Sequence, residues 1–78
     1  MKKWEASHEG NTIVVENKGV GEKLFINGEL QDELMGLAFR SRLWGQLPGG
    51  ETVKVSLGGS WFTLHCRIFV NNKLVLSE

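Results

Sequence analysis

Three side chains in this chain stand out as soft ligands for a metal ion: His8, His65 and Cys66. Zinc sites take three or four ligands, and their sequence mark is a paired spacing such as Cys-x-x-Cys or His-x-x-x-His. No such pair occurs in this sequence. His65 and Cys66 are neighbours, and neighbours on a strand point to opposite faces, so they cannot easily share one ion. They read as a surface histidine and a core thiol. A Cys–His nucleophile would have to combine Cys66 with His8 or His65. Cys66 alternates with Leu64 and Ile68, and apolar burial raises a thiol pKa and makes it inert. Ser60 follows Gly58-Gly59 without the strand-to-helix elbow of a serine hydrolase. Asp32 and Glu33 are adjacent, diverge on a strand, and read as a solvated turn. Gly49-Gly50 and Gly58-Gly59 lack the following helix of a phosphate-binding loop and read as turn residues. The expectation is a non-enzymatic protein with no metal and no cofactor.

The elements around these residues are strands. Asn27-Gly28 stands between Leu24-Phe25-Ile26 and Glu29-Leu30, the pattern of a two-residue hairpin whose turn needs positive φ at both central residues. Asn71-Asn72 plays the same part after Ile68-Phe69-Val70, so Phe25 should face Leu30 and Phe69 should face Leu74. From Trp61 to Val70 the chain alternates strictly. Phe62, Leu64, Cys66, Ile68 and Val70 form the apolar side; Trp61, Thr63, His65, Arg67 and Phe69 form the other. Val53, Val55 and Leu57 repeat the inward pattern, as do Ile13 and Val15. Residues 29–42 allow two readings. Leu30, Leu34, Leu37 and Ala38 have helical spacing, but Gly36 interrupts them, which favours strand, turn and strand.

The pattern occurs twice. At an offset of 40, Trp4 meets Trp44, Gly10 meets Gly50, Thr12 meets Thr52 and Val15 meets Val55; at an offset of 44, Phe25, Asn27 and Leu30 meet Phe69, Asn71 and Leu74. Seven of 20 aligned positions are identical, where chance gives about one or two. The change of offset places four extra residues in the second copy, near Gly58-Gly59-Ser60. Shared hairpin rules also make unrelated hairpins look alike, but the matched tryptophans favour duplication. The fold expected is all-β: an antiparallel sandwich, or flattened barrel, of about eight short strands in two four-strand units. The whole chain, 1–78, forms one domain, with units at about 3–34 and 37–77.

The order Trp, Gly-Asn-Thr-Ile, a glycine loop at Gly19–Gly21 and Lys-Leu-Phe-Ile-Asn-Gly is followed by a second copy ending in Cys-Arg-Ile-Phe-Val-Asn-Asn-Lys-Leu. This resembles one domain of the Fas apoptosis inhibitory molecule family, over roughly residues 3 to 76. The resemblance implies a compact antiparallel sandwich that acts through contacts with other proteins. It brings no catalytic motif and no residue roles. A small bacterial-type protein with a similar sandwich fits the same pattern.

Composition narrows the partners. Nine basic and nine acidic residues cancel, which argues against gripping a nucleic-acid backbone, and Arg40-Ser41-Arg42 is the nearest thing to a basic cluster. One cysteine permits no internal disulfide and suits a reducing, cytoplasmic setting. No apolar run approaches the 18 or so residues of a membrane span. What remains is the outward face of the alternating strand. Trp61, His65, Arg67, Phe69, Leu74 and Leu76, with Phe25 and Leu30 at the equivalent place in the first copy, form a candidate interaction face for a protein partner or a second copy. Trp4 and Trp44, equivalent in the repeat, read as core pillars. The alternative is a sugar or other planar ligand stacked on Trp61.

Overall fold

The structure, a computed structural model, describes residues 2–36, 40–59 and 63–78. Strands β1 (Lys2–His8), β2 (Asn11–Asn17), β3 (Gly21–Ile26) and β4 (Glu29–Met35) form one antiparallel sheet in that order. Strands β5 (Arg40–Gln46), β6 (Thr52–Gly59), β7 (Leu64–Val70) and β8 (Lys73–Ser77) form a second sheet in the same way. The fold is an all-β sandwich of two similar four-strand units. Residues 29–36 and 40–46 are strand and turn, with Gly36 at φ 106° between them. Leu37 and Ala38 lie outside the described residues, as do Ser60, Trp61 and Phe62.

Turn chemistry creates the two units. Glu9-Gly10, Asn27-Gly28 and Asn71-Asn72 all have positive φ at both positions, the conformation that matches the twist of a two-residue hairpin. The two asparagines also extend the sheet. The Thr12 amide donates to Asn27 Oδ1 at 2.9 Å, and the Thr52 amide donates to Asn71 Oδ1 at 2.9 Å. The likeness of the two units therefore reaches down to single hydrogen bonds. Both final hairpins carry the same irregularity as well. Phe25 faces Leu30 but Leu24 faces Asp32, leaving Gln31 as a bulge; Phe69 faces Leu74 but Ile68 faces Leu76, leaving Val75 as a bulge.

The four extra residues lengthen one hairpin. Asn17 pairs with Glu22 at the end of β2, and the equivalent pair is Leu57 with Cys66. Beyond it the second unit adds Gly58 opposite His65 and Gly59 opposite Leu64. A Cβ on Gly59 would collide with the Thr63 backbone, so only glycine fits there.

The first strands do not match as the tryptophans suggest. Val15 pairs with Trp4, whereas its equivalent, Val55, pairs with Leu43. Trp4 thus corresponds to Leu43, and Glu5 corresponds to Trp44. The β1–β2 turn is Glu9-Gly10, while the β5–β6 turn is Pro48-Gly49-Gly50, closed by the Leu47 amide donating to the Glu51 carbonyl at 2.9 Å. One extra turn residue slides the strand by one position, and that slip exchanges its faces. Trp4 is 4% exposed and Trp44 is 51% exposed. Trp4 is a core pillar as expected; Trp44 is not.

The inner faces meet in one core that includes Trp4, Ile13, Leu24, Leu43, Val55 and Ile68. Gly45 sits where β5 crosses β3, and a Cβ there would lie 3.0 Å from Ile26 Cδ1. Two polar contacts fasten β5 to the first sheet. Ser41 Oγ donates to the buried Glu22 carboxylate at 2.8 Å, and the Trp44 amide donates to Asp32 Oδ2 at 2.9 Å. Asp32 and Glu33 diverge as expected, but on strand β4 rather than in a solvated turn, and Glu33 pairs with Lys23 at 3.6 Å.

Candidate functional site

The ladder of the second sheet lines up its outward side chains in rows. Trp44 faces Lys54, Lys54 faces Phe69, and Phe69 faces Leu74. Strands lie about 4.8 Å apart, so these four side chains make a stripe roughly 14 Å long across the sheet. Its ends are open, with Trp44 51% and Leu74 50% exposed. In its middle the Lys54 ammonium lies 4.6 Å from the centre of the half-buried Phe69 ring, a cation–π contact that draws the lysine over that ring.

The next row is Arg42, Ser56, Arg67 and Ser77. The third is Arg40, Gly58 and His65. Arg40, Arg42, His65 and Arg67 are all exposed. None of the three arginines has an ion-pair partner among the described residues, and no carboxylate shares these rows.

The first sheet supplies an internal comparison. Its equivalent of the arginine row is Lys3, Glu16, Lys23 and Glu33. There the charges alternate across all four strands, and opposite charges on facing positions support each other. In the second unit, serine stands in place of both glutamates while the cations remain. The zero net charge hides this division. Residues 1–36 hold four lysines against seven carboxylates, and residues 40–78 hold five lysines and arginines against two carboxylates.

The expected face is brought together only in part. His65, Arg67, Phe69 and Leu74 share the outer face of the second sheet. Leu76 was expected beside them, but the Val75 bulge turns it inward, where it packs on the core. Phe25 and Leu30 do face each other, but on the outer face of the first sheet, the opposite side of the sandwich. Trp61 lies outside the described residues. Sequence reasoning missed Trp44, Arg42 and Lys54 as members of the face. The alternation of Leu43, Gly45 and Leu47 carried the signal, since it assigns Trp44 to the outer side whatever the other tryptophan does.

The remaining chemistry-bearing residues are dispersed. Cys66 is fully buried. Burial, and secondarily the charge of Glu78, pushes its thiol up to about 12, which leaves almost no thiolate near neutral pH. His65 stands on the other face of the same strand, as the alternation requires. Among the described residues, no three His, Cys, Asp or Glu side chains converge as metal ligands would. A shallow cleft of about 290 Å³ between the β3–β4 hairpin and the β5–β6 turn is lined by Ile26, Asn27, Glu29, Gln31, Gln46 and Pro48, with no aromatic ring to stack a ligand. Among the described residues no helix is long and apolar enough to cross a membrane. Compared with protein-family models, curated proteins and solved structures, the chain matches none.

Proposed function

We propose that this protein is a non-enzymatic binding module that works through protein–protein contacts, made by the outer face of the β5–β8 sheet. The observation that carries this reading is the stripe from Trp44 to Leu74, open at both ends and flanked by arginines that have no ion-pair partner among the described residues. Tryptophan and arginine are the side chains most enriched at interface hot spots, where a few residues supply most of the binding energy. The rigid sheet beneath holds the stripe in place before any partner arrives, which lowers the ordering cost of binding. A protein-contact role is also what the resemblance to the Fas apoptosis inhibitory molecule family implies.

A partner of different composition fits this face better than a second copy of it. A two-fold dimer through the same surface would press two sets of arginines together with no carboxylate between them, and like-charge juxtaposition costs several kcal/mol. Light scattering across a concentration series should therefore find no dimer that depends on Trp44. Partner capture should be lost with Trp44→Glu and kept with Leu30→Glu on the opposite side, both variants being folded by circular dichroism. Equal capture by the two variants refutes this assignment of the face.

A further inference from the structure

We infer that the partner docks an acidic, extended protein segment into a shallow trough over β6, with an apolar side chain at one end of it. This inference rests on the protein-contact role proposed for the same face. The walls of the trough are two matching tracks. Along β5, alternate outward residues are Trp44, Arg42 and Arg40; along β7 they are Phe69, Arg67 and His65. The ladder sets these in register, so aromatic faces aromatic, arginine faces arginine, and Arg40 faces His65, each pair across β6. Between them β6 presents Lys54, Ser56 and Gly58, side chains that shrink along the strand. The walls are two strand spacings apart, about 9.6 Å, which admits one extended chain between them.

Period and charge then specify the occupant. Outward positions along a strand repeat every two residues, about 6.8 Å, and an extended segment has the same repeat. An apolar residue followed by carboxylates at alternate positions would meet Trp44 first, the ring that Lys54 leaves open. It would next meet the two arginines and then Arg40 with His65. Arginine binds carboxylate through paired, charge-assisted hydrogen bonds, the strongest polar contacts such a surface offers. The first sheet lacks this trough. At the equivalent places it carries Val14 and Glu16, and its cations already face carboxylates.

A single-stranded nucleic acid fits less well. Such strands are held by successive open aromatic platforms, and here Lys54 caps the Phe69 ring, leaving Trp44 as the open one among the described residues.

The test is an NMR titration of the intact protein with three probes: a peptide of alternating serine and glutamate led by phenylalanine, the same peptide with lysine for glutamate, and a short oligothymidylate. The expected result is saturable shifts on Arg42, Ser56 and Arg67 with the acidic peptide alone, weakening as salt rises. Ser56→Glu with Ser77→Glu rebuilds the first sheet's charge row in the second and should abolish that binding while the amide spectrum stays folded. Arg67→Ser alone should weaken it about tenfold. Binding of the lysine peptide on the same residues overturns the acidic segment but leaves the contact face standing. Oligothymidylate binding in preference to the peptides overturns the protein partner altogether. No shift with any probe, together with partner capture that ignores Trp44→Glu, removes both the inference and the reading beneath it.

Discussion

The two tryptophans that align in sequence should behave as opposites when each is replaced by alanine. Trp4 is 4% exposed on β1, against Val15 in the core. A buried tryptophan removes roughly 150–250 Å² from water, and at about 25 cal/mol per Å² this amounts to roughly 4–6 kcal/mol. Measured Trp→Ala losses in cores run about 3–5 kcal/mol. A chain of this length has a total stability of roughly 4–12 kcal/mol. Trp4→Ala should therefore remove a large share of it and bring the protein close to unfolding. Trp44 is 51% exposed, and its backbone contact to Asp32 survives the change. Trp44→Ala should cost about 1 kcal/mol, the central value for point substitutions. Urea unfolding followed by far-UV circular dichroism measures both without relying on the tryptophans as reporters. Costs within about 0.5 kcal/mol of each other, or a larger cost at Trp44, would refute the one-residue slip that the longer β5–β6 turn imposes.

Two further outcomes test the turns and the core thiol. Asn71→Gly keeps a residue tolerant of φ 48° but loses the bond from the Thr52 amide, so it should cost about 1 kcal/mol; Asn71→Val, which adds backbone strain, should cost clearly more in the same urea titration. Cys66 has its pKa raised from 9.0 to about 12 in the fold, so above about pH 9 the unfolded chain releases a proton that the folded chain retains. Its contribution is complete below about pH 9 and declines up to about pH 12; Cys66→Ala should flatten that part of a stability–pH profile, and a thiol reagent near neutral pH should label Cys66 only after urea is added.

The sequence alone determined whatever depends on local chemistry. Asn27-Gly28 and Asn71-Asn72 announce hairpins because few other pairs accept two positive φ values in succession. Val53, Val55, Leu57, Cys66 and Ile68 announce an inner face because a strand alternates and water drives one side inward. The likeness of the two units was visible because the same turn and pattern recur at a nearly constant offset. Tertiary structure decided which outward residues share a surface. A bulge at Val75 and one added residue in the β5–β6 turn each reverse the facing of what lies beyond them; the alternation of Leu43, Gly45 and Leu47 marks the second shift within β5, but the run Leu74-Val75-Leu76 carries no mark of the first. So Leu76 went inward and Trp44 outward. Phe25 and Leu30 were parted from Phe69 and Leu74 because the two units form separate sheets whose outer faces point away from each other. The same separation explains the charge. A sum over residues is zero, but carboxylates on the outer face of one sheet lie too far from arginines on the opposite outer face to pair with them, and only the fold assigns each charge to its side.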